Sequence, residues 1–154
     1  MNQNGPWHTM DFDDLSWHDV HVHGLQLENF KPESGSADLI LDIDFILKWE
    51  NAAKGFMFTV CPADLRFHDI FGLKLALDYA GPTAGMCPFS LDRIEREEIT
   101  FPTGHKSYQW LLAINWPKGQ LEFQAPGFTQ TLKGTPHVSP NQSLTPEERR
   151  RVAA

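Results

Sequence analysis

A long run of strictly alternating side chains, from Asp38 to Trp49, constrains the fold of this chain more than any other feature. The odd positions are all large and apolar and most even positions are charged, which sets Leu39, Leu41, Ile43, Phe45, Leu47 and Trp49 against Asp38, Asp42, Asp44 and Lys48. Successive side chains of a β-strand point to opposite faces. The pattern therefore predicts a strand of about twelve residues with one buried face and one solvated face.

Other segments repeat this alternation and extend the prediction to the whole chain. Leu73–Tyr79 and Tyr108–Trp116 each read as a strand, and turn-rich breaks at 32–36, 81–85 and 102–106 separate the apolar segments. Leu91–Ile99 also fits a helical turn and is assigned as a strand from its context. Such spacing is typical of β-sandwiches and β-barrels. The sequence thus predicts an all-β fold, a single antiparallel β-barrel or sandwich of about eight strands in largely meander order.

Two weaker segments complete the predicted meander. Phe56–Val60 leads to Pro62, after which the alternation resumes out of phase, and this favours an edge strand that bends at Pro62. Near the end of the β-rich region, short apolar segments begin at Leu121 and at Phe128, each after a turn that contains Pro and Gly. We expect these two segments and the preceding strand to form consecutive hairpins.

The chain changes character after Gly134. Residues 135–144 are polar and rich in Pro, Ser and Asn, and Thr145, Pro146 and Glu148 then supply an N-cap, a first helical residue and a capping-box glutamate. The predicted organisation is an antiparallel β-domain over residues 1–134, followed by a polar linker and a short C-terminal helical tail over residues 135–154.

Charge and cysteine content exclude several classes of function. The formal net charge is -7 and the basic residues are scattered apart from Arg149–Arg151, so nucleic acid is not an expected partner. The first twenty residues carry four aspartates without an apolar run, and no later stretch approaches a membrane span. Cys61 and Cys87 lack metal-site spacing and are predicted to be reduced thiols. We expect a cytoplasmic protein that does not enter a membrane.

The first strand carries a histidine pair whose geometry depends on one glycine. Val20 and Val22 alternate with the histidines, but the apolar residues then shift phase to Leu25 and Leu27, and the shift falls at Gly24. A β-bulge there restores the four apolar side chains to one face. His21 and His23 then share the polar face.

A hairpin through residues 32–36 places the next strand beside these histidines. Matching the apolar faces pairs Leu27 with either Leu39 or Leu41. Those two registers place His23 opposite Asp42 or Asp44, and His21 opposite Asp44 or Ile46.

Two interpretations of this cluster remain open. His21, His23 and Asp42 or Asp44 could supply three ligands to a divalent transition metal such as Zn, Fe or Mn, with positions left for water and substrate, as metal-dependent enzymes require. The alternative is a solvated sheet face with ordinary cross-strand contacts between His and Asp and no cofactor.

The aromatic content indicates a binding function. Eleven Phe and five Trp in 154 residues imply either a dense aromatic core or an aromatic surface that is partly exposed. A closed barrel could hold a small molecule, although an interior filled by side chains is the commoner state. An exposed strand edge or aromatic patch could instead dock a protein partner.

Several stretches of this sequence resemble a family of small uncharacterised bacterial proteins. The resemblance lies in Leu15-Ser16-Trp17-His18-Asp19, in the run from Leu41 to Trp49, in Asp92–Glu97 and in Gly127-Phe128-Thr129-Gln130, and it covers roughly residues 15–150. It implies a self-contained bacterial domain and carries no activity, cofactor or catalytic residue with it.

Taken with the missing signatures of phosphate loops, nucleophile elbows and metalloprotease helices, these features favour a non-enzymatic binding or interaction domain of partner-binding or immunity type. The partner is a protein or a small molecule. A metal-dependent enzyme that uses His21, His23, Asp42 and Asp44 is the alternative function.

Overall fold

The computed structural model describes residues 3–81 and 85–153, and these form one antiparallel sheet of nine strands with a short C-terminal helix. The elements are β1 (Trp7–His8), a 3-10 helix (Thr9–Asp14), β2 (His21–Lys31), β3 (Ser36–Ala52), β4 (Gly55–Leu77), β5 (Phe89–Thr100), β6 (Lys106–Trp116), β7 (Gly119–Ala125), β8 (Gly127–Leu132), β9 (His137–Ser139) and α1 (Pro146–Ala153). The predicted all-β antiparallel fold is confirmed.

The strand pairings form an irregular ring. Strand β4 pairs with β3, β3 with β2, β2 with β5, β5 with β6, β6 with β7, and β7 pairs back with β4. The β2–β5 contact consists of two residue pairs, His21 with Ser90 and Val22 with Phe89. Because β2 and β5 part after these pairs, the sheet is not a regular barrel: it folds over on itself like a sandwich whose two layers share β4.

Strand β4 differs from the sequence prediction in two ways. The segments that were expected to form separate strands on either side of residue 70 are one strand of 23 residues. Pro62 does not mark an edge strand, because β4 has β3 on one side and β9, β8 and β7 in succession on the other. Pro62 is tolerated at this position because it falls between the β9 pairing, which ends at Val60, and the β8 pairing, which begins at Ala63.

The predicted hairpin between the last two β segments is also wrong. Strands β6 and β7 form a hairpin, but β7 and β8 both pair with β4, β7 along Phe71–Leu77 and β8 along Ala63–His68. They behave as two halves of one strand that is interrupted at Pro126, which has no N–H to donate to a ladder.

The core between the two layers is aromatic. Phe67 of β4 lies at its centre, with ring centroids 4.7 Å from Phe123 and 5.1 Å from Trp110, both in edge-to-face geometry. Trp110 donates its indole N–H to the carbonyl of Ala125 at 3.0 Å, so its one polar atom is satisfied. The interior is therefore filled by side chains around these rings.

The outer face of β3 is not solvated as the alternation predicts. Asp44 and Ile46 occupy even positions of the strand and are nevertheless buried, as is Val60 opposite Ile46 on β4. The C-terminal segment lies over this face: β9 pairs with β4, and Leu144 is 2% exposed. The predicted boundary at Gly134 stays a prediction, but residues 137–152 pack against the β-structure.

Helix α1 begins as the sequence predicts. Thr145 Oγ1 accepts a hydrogen bond from the Glu148 N–H at 3.1 Å, and Glu148 Oε1 accepts one from the Thr145 N–H at 3.0 Å, which completes a capping box. Within residues 3–81 and 85–153, no helix has the length and apolar character needed to cross a membrane.

Candidate functional site

The hairpin of β2 and β3 has the bulge and one of the two registers that the sequence predicts. Val22 pairs with Ile43 and Gly24 with Asp42, so His23 is the extra residue of the bulge, and Leu27 pairs with Leu39. His21 consequently lies opposite Asp44. The four residues predicted as metal ligands, His21, His23, Asp42 and Asp44, are therefore neighbours on the outer face.

Asp44 is the centre of this cluster and is 0% exposed. One carboxylate oxygen, Oδ2, accepts hydrogen bonds from His23 Nε2 at 2.7 Å, the Leu144 N–H at 2.8 Å and the Ser143 hydroxyl at 3.2 Å. The other, Oδ1, accepts one from the Arg149 guanidinium at 3.0 Å. The carboxylate thus accepts four hydrogen bonds from the protein itself, three at Oδ2 and one at Oδ1.

Asp42 is bound to cations from the same C-terminal part of the chain. Its Oδ1 pairs with Arg149 and, at 2.8 Å, with Lys133, which also contacts Asp64 at 3.0 Å. Arg149 therefore bridges the two carboxylates that the sequence assigns to a metal. The guanidinium supplies the positive charge between Asp42 and Asp44.

Burial and charge act in opposite directions on Asp44. Burial alone raises its pKa, but the hydrogen bonds from His23 and the Leu144 N–H and the positive charge of Arg149 outweigh it, so the pKa lies below its usual value. Burial also lowers the pKa of His21, against the hydrogen bond that its Nδ1–H donates to the Asp19 carbonyl. Asp44 is thus ionised and His21 neutral at neutral pH.

The cluster has the composition of a metal site, but its side chains are engaged with one another. In the described part of the chain, no three His, Cys, Asp or Glu side chains are arranged to hold a metal ion. The metal-dependent enzyme and its divalent metal stay a prediction. The geometry is that of a hydrogen-bonded ion cluster that holds the C-terminal segment on the sheet.

A second site lies at the end of the sheet where three turns and a bend meet. Two adjoining cavities of about 400 and 510 Å³ share Lys31, Ser36 and Phe71 among their lining residues, and we call them together the turn cleft. The first is lined mainly by apolar side chains: Leu27, Phe30, Ala37, Ile70, Phe71 and Leu73. Phe30 is 67% exposed and Phe71 42%, so both rings are accessible to a ligand.

The second cavity of the turn cleft is more polar. It is lined by residues at the β2–β3 turn and the β5–β6 turn and by Pro126. Its polar groups include the serines at 34, 36 and 107. Phe101 and His105 stack at a centroid distance of 5.8 Å across the β5–β6 turn. Lys31 and Asp69 form an ion pair, and the hydrogen bond and charge of Asp69 raise the pKa of Lys31. An apolar floor with a few polar groups at its margin is typical of a ligand-binding site.

Asp38 holds in an unusual backbone conformation Asp69, which lines the turn cleft, and Asn29, which precedes the lining residue Phe30. Asn29 and Asp69 have φ angles of 56° and 50°, in a backbone region that residues other than glycine adopt rarely. The buried Asp38 carboxylate accepts hydrogen bonds from Asn29 Nδ2 and the Asp69 N–H, each at 3.0 Å, and from Arg66 at 2.8 Å. Strained residues that are over-determined in this way cluster at binding sites.

Sequence reasoning did not find the turn cleft. Phe30 and Phe71 stand 41 positions apart and outside every motif that the sequence suggested, and both lie where a strand bends: the β2–β3 register shifts between Glu28 and Lys31, and the β4–β7 register between Phe71 and Lys74. The available signal was an aromatic residue beside a turn, which is too common to identify a site.

Comparison of this chain with protein-family models, with curated proteins and with solved structures gives no match.

Proposed function

We propose that this chain is a non-enzymatic protein-interaction domain that binds an extended apolar segment of a partner protein in the turn cleft. The observation that carries the proposal is the exposure of Phe30 and Phe71, which both line one apolar cavity of about 400 Å³. Exposed aromatic side chains over a concave apolar surface are typical of interaction sites.

The margin of the cleft suits a peptide better than a purely apolar molecule. A bound peptide must satisfy its backbone N–H and C=O groups. Lys31 and Ser36 line both cavities, and Ser34 and Asp69 line the second. Asp38 and its hydrogen bonds hold the walls in place, so little conformational entropy is lost when a ligand binds.

The proposal includes a reducing, cytoplasmic location. Cys61 and Cys87 are free thiols, Cys61 buried and Cys87 exposed, and free exposed thiols fit a compartment in which disulfides do not form.

A displayed library of random peptides tests the proposal. We expect selection on the native protein to enrich peptides that share an apolar pattern. These peptides should bind a Phe30→Ser, Phe71→Ser double variant at least about tenfold more weakly, because buried aromatic anchors carry most of the binding free energy of an interface.

The matched control is Val138→Ser, since Val138 is 59% exposed but lies on β9, away from the cleft. Peptides that bind in the turn cleft should keep their affinity for this variant. The proposal fails if no sequence is enriched, or if the enriched peptides bind the double variant as tightly as they bind the native protein.

A further inference from the structure

The C-terminal third of β4 is an unpaired sheet edge. Strand β3 follows β4 only as far as the pair Ala37–Ile70, and beyond it residues 71–77 pair with β7 on their other side. Among the described residues, no strand pairs with the remaining edge of this segment, which we call the β4 edge. Unpaired edges of this kind present free N–H and C=O groups to another strand.

The β4 edge lacks the protection that the other open edge of the same layer carries. Beyond Leu91, β5 pairs with β6 alone among the described strands, and its sequence from Arg93 to Glu98 includes five charged residues, which discourage pairing with a second strand. Between Phe71 and Leu77 the β4 edge has Lys74 as its one charged residue and no proline. Leu75 is 52% exposed although its cross-strand neighbour Leu121 is buried.

We propose that the β4 edge pairs, antiparallel, with the β4 edge of a second copy of this chain, about a two-fold axis at Ala76. A symmetric pair must oppose a surface to itself. The leucines of both copies lie on one face of the joined sheet only if odd-numbered residues oppose odd-numbered residues and even-numbered residues oppose even-numbered ones. The two-fold axis must therefore pass at a residue and not between two neighbouring residues.

Charge selects among the possible axes. An axis at Lys74 opposes two lysines, and an axis at Leu75 leaves Lys74 opposite Ala76 and Asp78 opposite Gly72. An axis at Ala76 opposes Lys74 of each copy to Asp78 of the other. Directly opposed residues of unlike charge stabilise an antiparallel pair, and like charges destabilise it.

The same register also matches the apolar residues. Leu75 of each copy lies opposite Leu77 of the other, and Leu73 of each copy lies opposite Tyr79 of the other. Lys74 and Asp78 are both exposed and have no salt bridge within residues 3–81 and 85–153, although Lys74 lies opposite Glu122 of β7. Lys74 is therefore available to the second copy, and Asp78, whose Oδ1 accepts a hydrogen bond from the Ala80 N–H at 2.8 Å, offers its Oδ2. Pairing extends β4 by the two residues that follow Leu77.

The dimer joins the layer β4–β7–β6–β5 of each copy into a continuous sheet of eight strands. Its interface consists of one strand edge and the leucines beside it, which is smaller than the ~1,200–2,000 Å² that stable interfaces bury. We therefore expect a reversible dimer whose population rises between micromolar and millimolar concentration.

Sedimentation velocity over that concentration range tests the proposal with variants in which the charges at positions 74 and 78 are reversed. The native chain should dimerise, and Lys74→Glu and Asp78→Lys should each remain monomeric, since each opposes like charges at two places. The double variant Lys74→Glu, Asp78→Lys should dimerise again. A mixture of the two single variants should form a heterodimer, because both opposed pairs in it, at positions 74 and 78, have unlike charges.

Lys54→Glu is the matched control, since Lys54 is an exposed lysine at the tip between β3 and β4; it should dimerise as the native chain does. A native chain that stays monomeric at millimolar concentration overturns the proposal. So does a pair of single variants that dimerise like the native chain, or a double variant that stays monomeric with a native circular dichroism spectrum.

Amide hydrogen exchange tests the same dimer on the native chain, without any substitution. Exchange of the amide hydrogens of residues 71–79 should slow as concentration rises, and unchanged exchange contradicts pairing at this edge. The inference does not rest on the proposed function. Phe30→Ser, which removes an anchor of the turn cleft, should leave dimerisation unchanged.

Discussion

Asp44 shows how strongly one residue can depart from the position that its pattern assigns to it. Alternation places it on a solvated face, yet its carboxylate is fully buried and accepts hydrogen bonds from His23, Ser143, Leu144 and Arg149. An isolated buried carboxylate is costly, but this one accepts four hydrogen bonds and is paired with Arg149, and such groups are retained in folded proteins.

Asp44→Asn should lower the free energy of unfolding by about 3 kcal/mol, because it leaves the partly buried Arg149 beside a neutral side chain. The amide NH2 of the asparagine would also face groups that donate hydrogen bonds to Asp44. Urea unfolding at neutral pH measures this. Asp64→Asn is the matched control: Asp64 is half-exposed at the end of the same ion cluster, bound to Lys133, and its loss should cost under about 1 kcal/mol. Equal losses would contradict a central role for Asp44.

The lowered pKa of His21 predicts an acid-sensitive stability. In the unfolded chain the imidazole titrates near a pKa of ~6.5, and in the folded protein burial lowers its pKa. Between the two pKa values the unfolded state binds more protons, so the free energy of unfolding should fall as the pH drops below ~6.5 and level off below the folded pKa.

His21→Gln should remove this part of the pH dependence, measured by urea unfolding between neutral pH and pH ~5. The lowered pKa of Asp44 acts separately, since its contribution is fully present above the unfolded pKa of ~3.9 and is lost only as the pH falls through the lower folded value. An unchanged slope in His21→Gln would mean that His21 is not the titrating group.

At the scale of elements, two segments are more closely integrated than their composition suggests. Strand β4 continues through Pro62 because the missing N–H falls where one partner strand has ended and the next has not begun. The polar residues after Gly134 form β9, bury Leu144 and supply Arg149 to the ion cluster. Low hydrophobicity indicated a linker, but a few well-placed contacts suffice to dock such a segment.

A chain that ends at Gly134 should therefore be much less stable than the full chain, because Ile46 and Val60 lose their cover and Asp44 loses three of its donors. Truncating Leu144 alone to Ala should cost about 2–5 kcal/mol, as for other buried leucines. Thermal unfolding, with amide exchange at Phe58–Val60 where β9 pairs, measures both. A truncated chain as stable as the full one would show that residues 135–154 are a dispensable tail.

At the scale of the whole molecule, both proposed interaction sites follow from the unequal lengths of neighbouring strands. Strand β4 continues seven residues past its last pair with β3. These seven residues form the unpaired β4 edge, and two of them, Phe71 and Leu73, also line the turn cleft. The ends of β2 and β5 part in the same way. A sheet whose strands match in length would close the cleft and pair the edge.

The sequence by itself predicted the all-β class, most of the strands and the inner face of β3, and it narrowed the β2–β3 register to two possibilities. Alternation, the bulge at Gly24 and the capping box of α1 follow from residues close together in the chain, where side-chain period and turn chemistry act directly. Even the neighbourhood of His21, His23, Asp42 and Asp44 follows from one hairpin.

Only the tertiary structure decided what covers those strands and which of them meet at a distance. The ion cluster depends on Leu144 and Arg149, 100 and 105 positions from Asp44, and the turn cleft on rings from two strands that bend. No local pattern encodes such contacts, because they arise from the packing of the whole sheet. Two of the four residues that spacing assigned to a metal site, Asp42 and Asp44, are therefore bound by a guanidinium that only the folded chain brings to them.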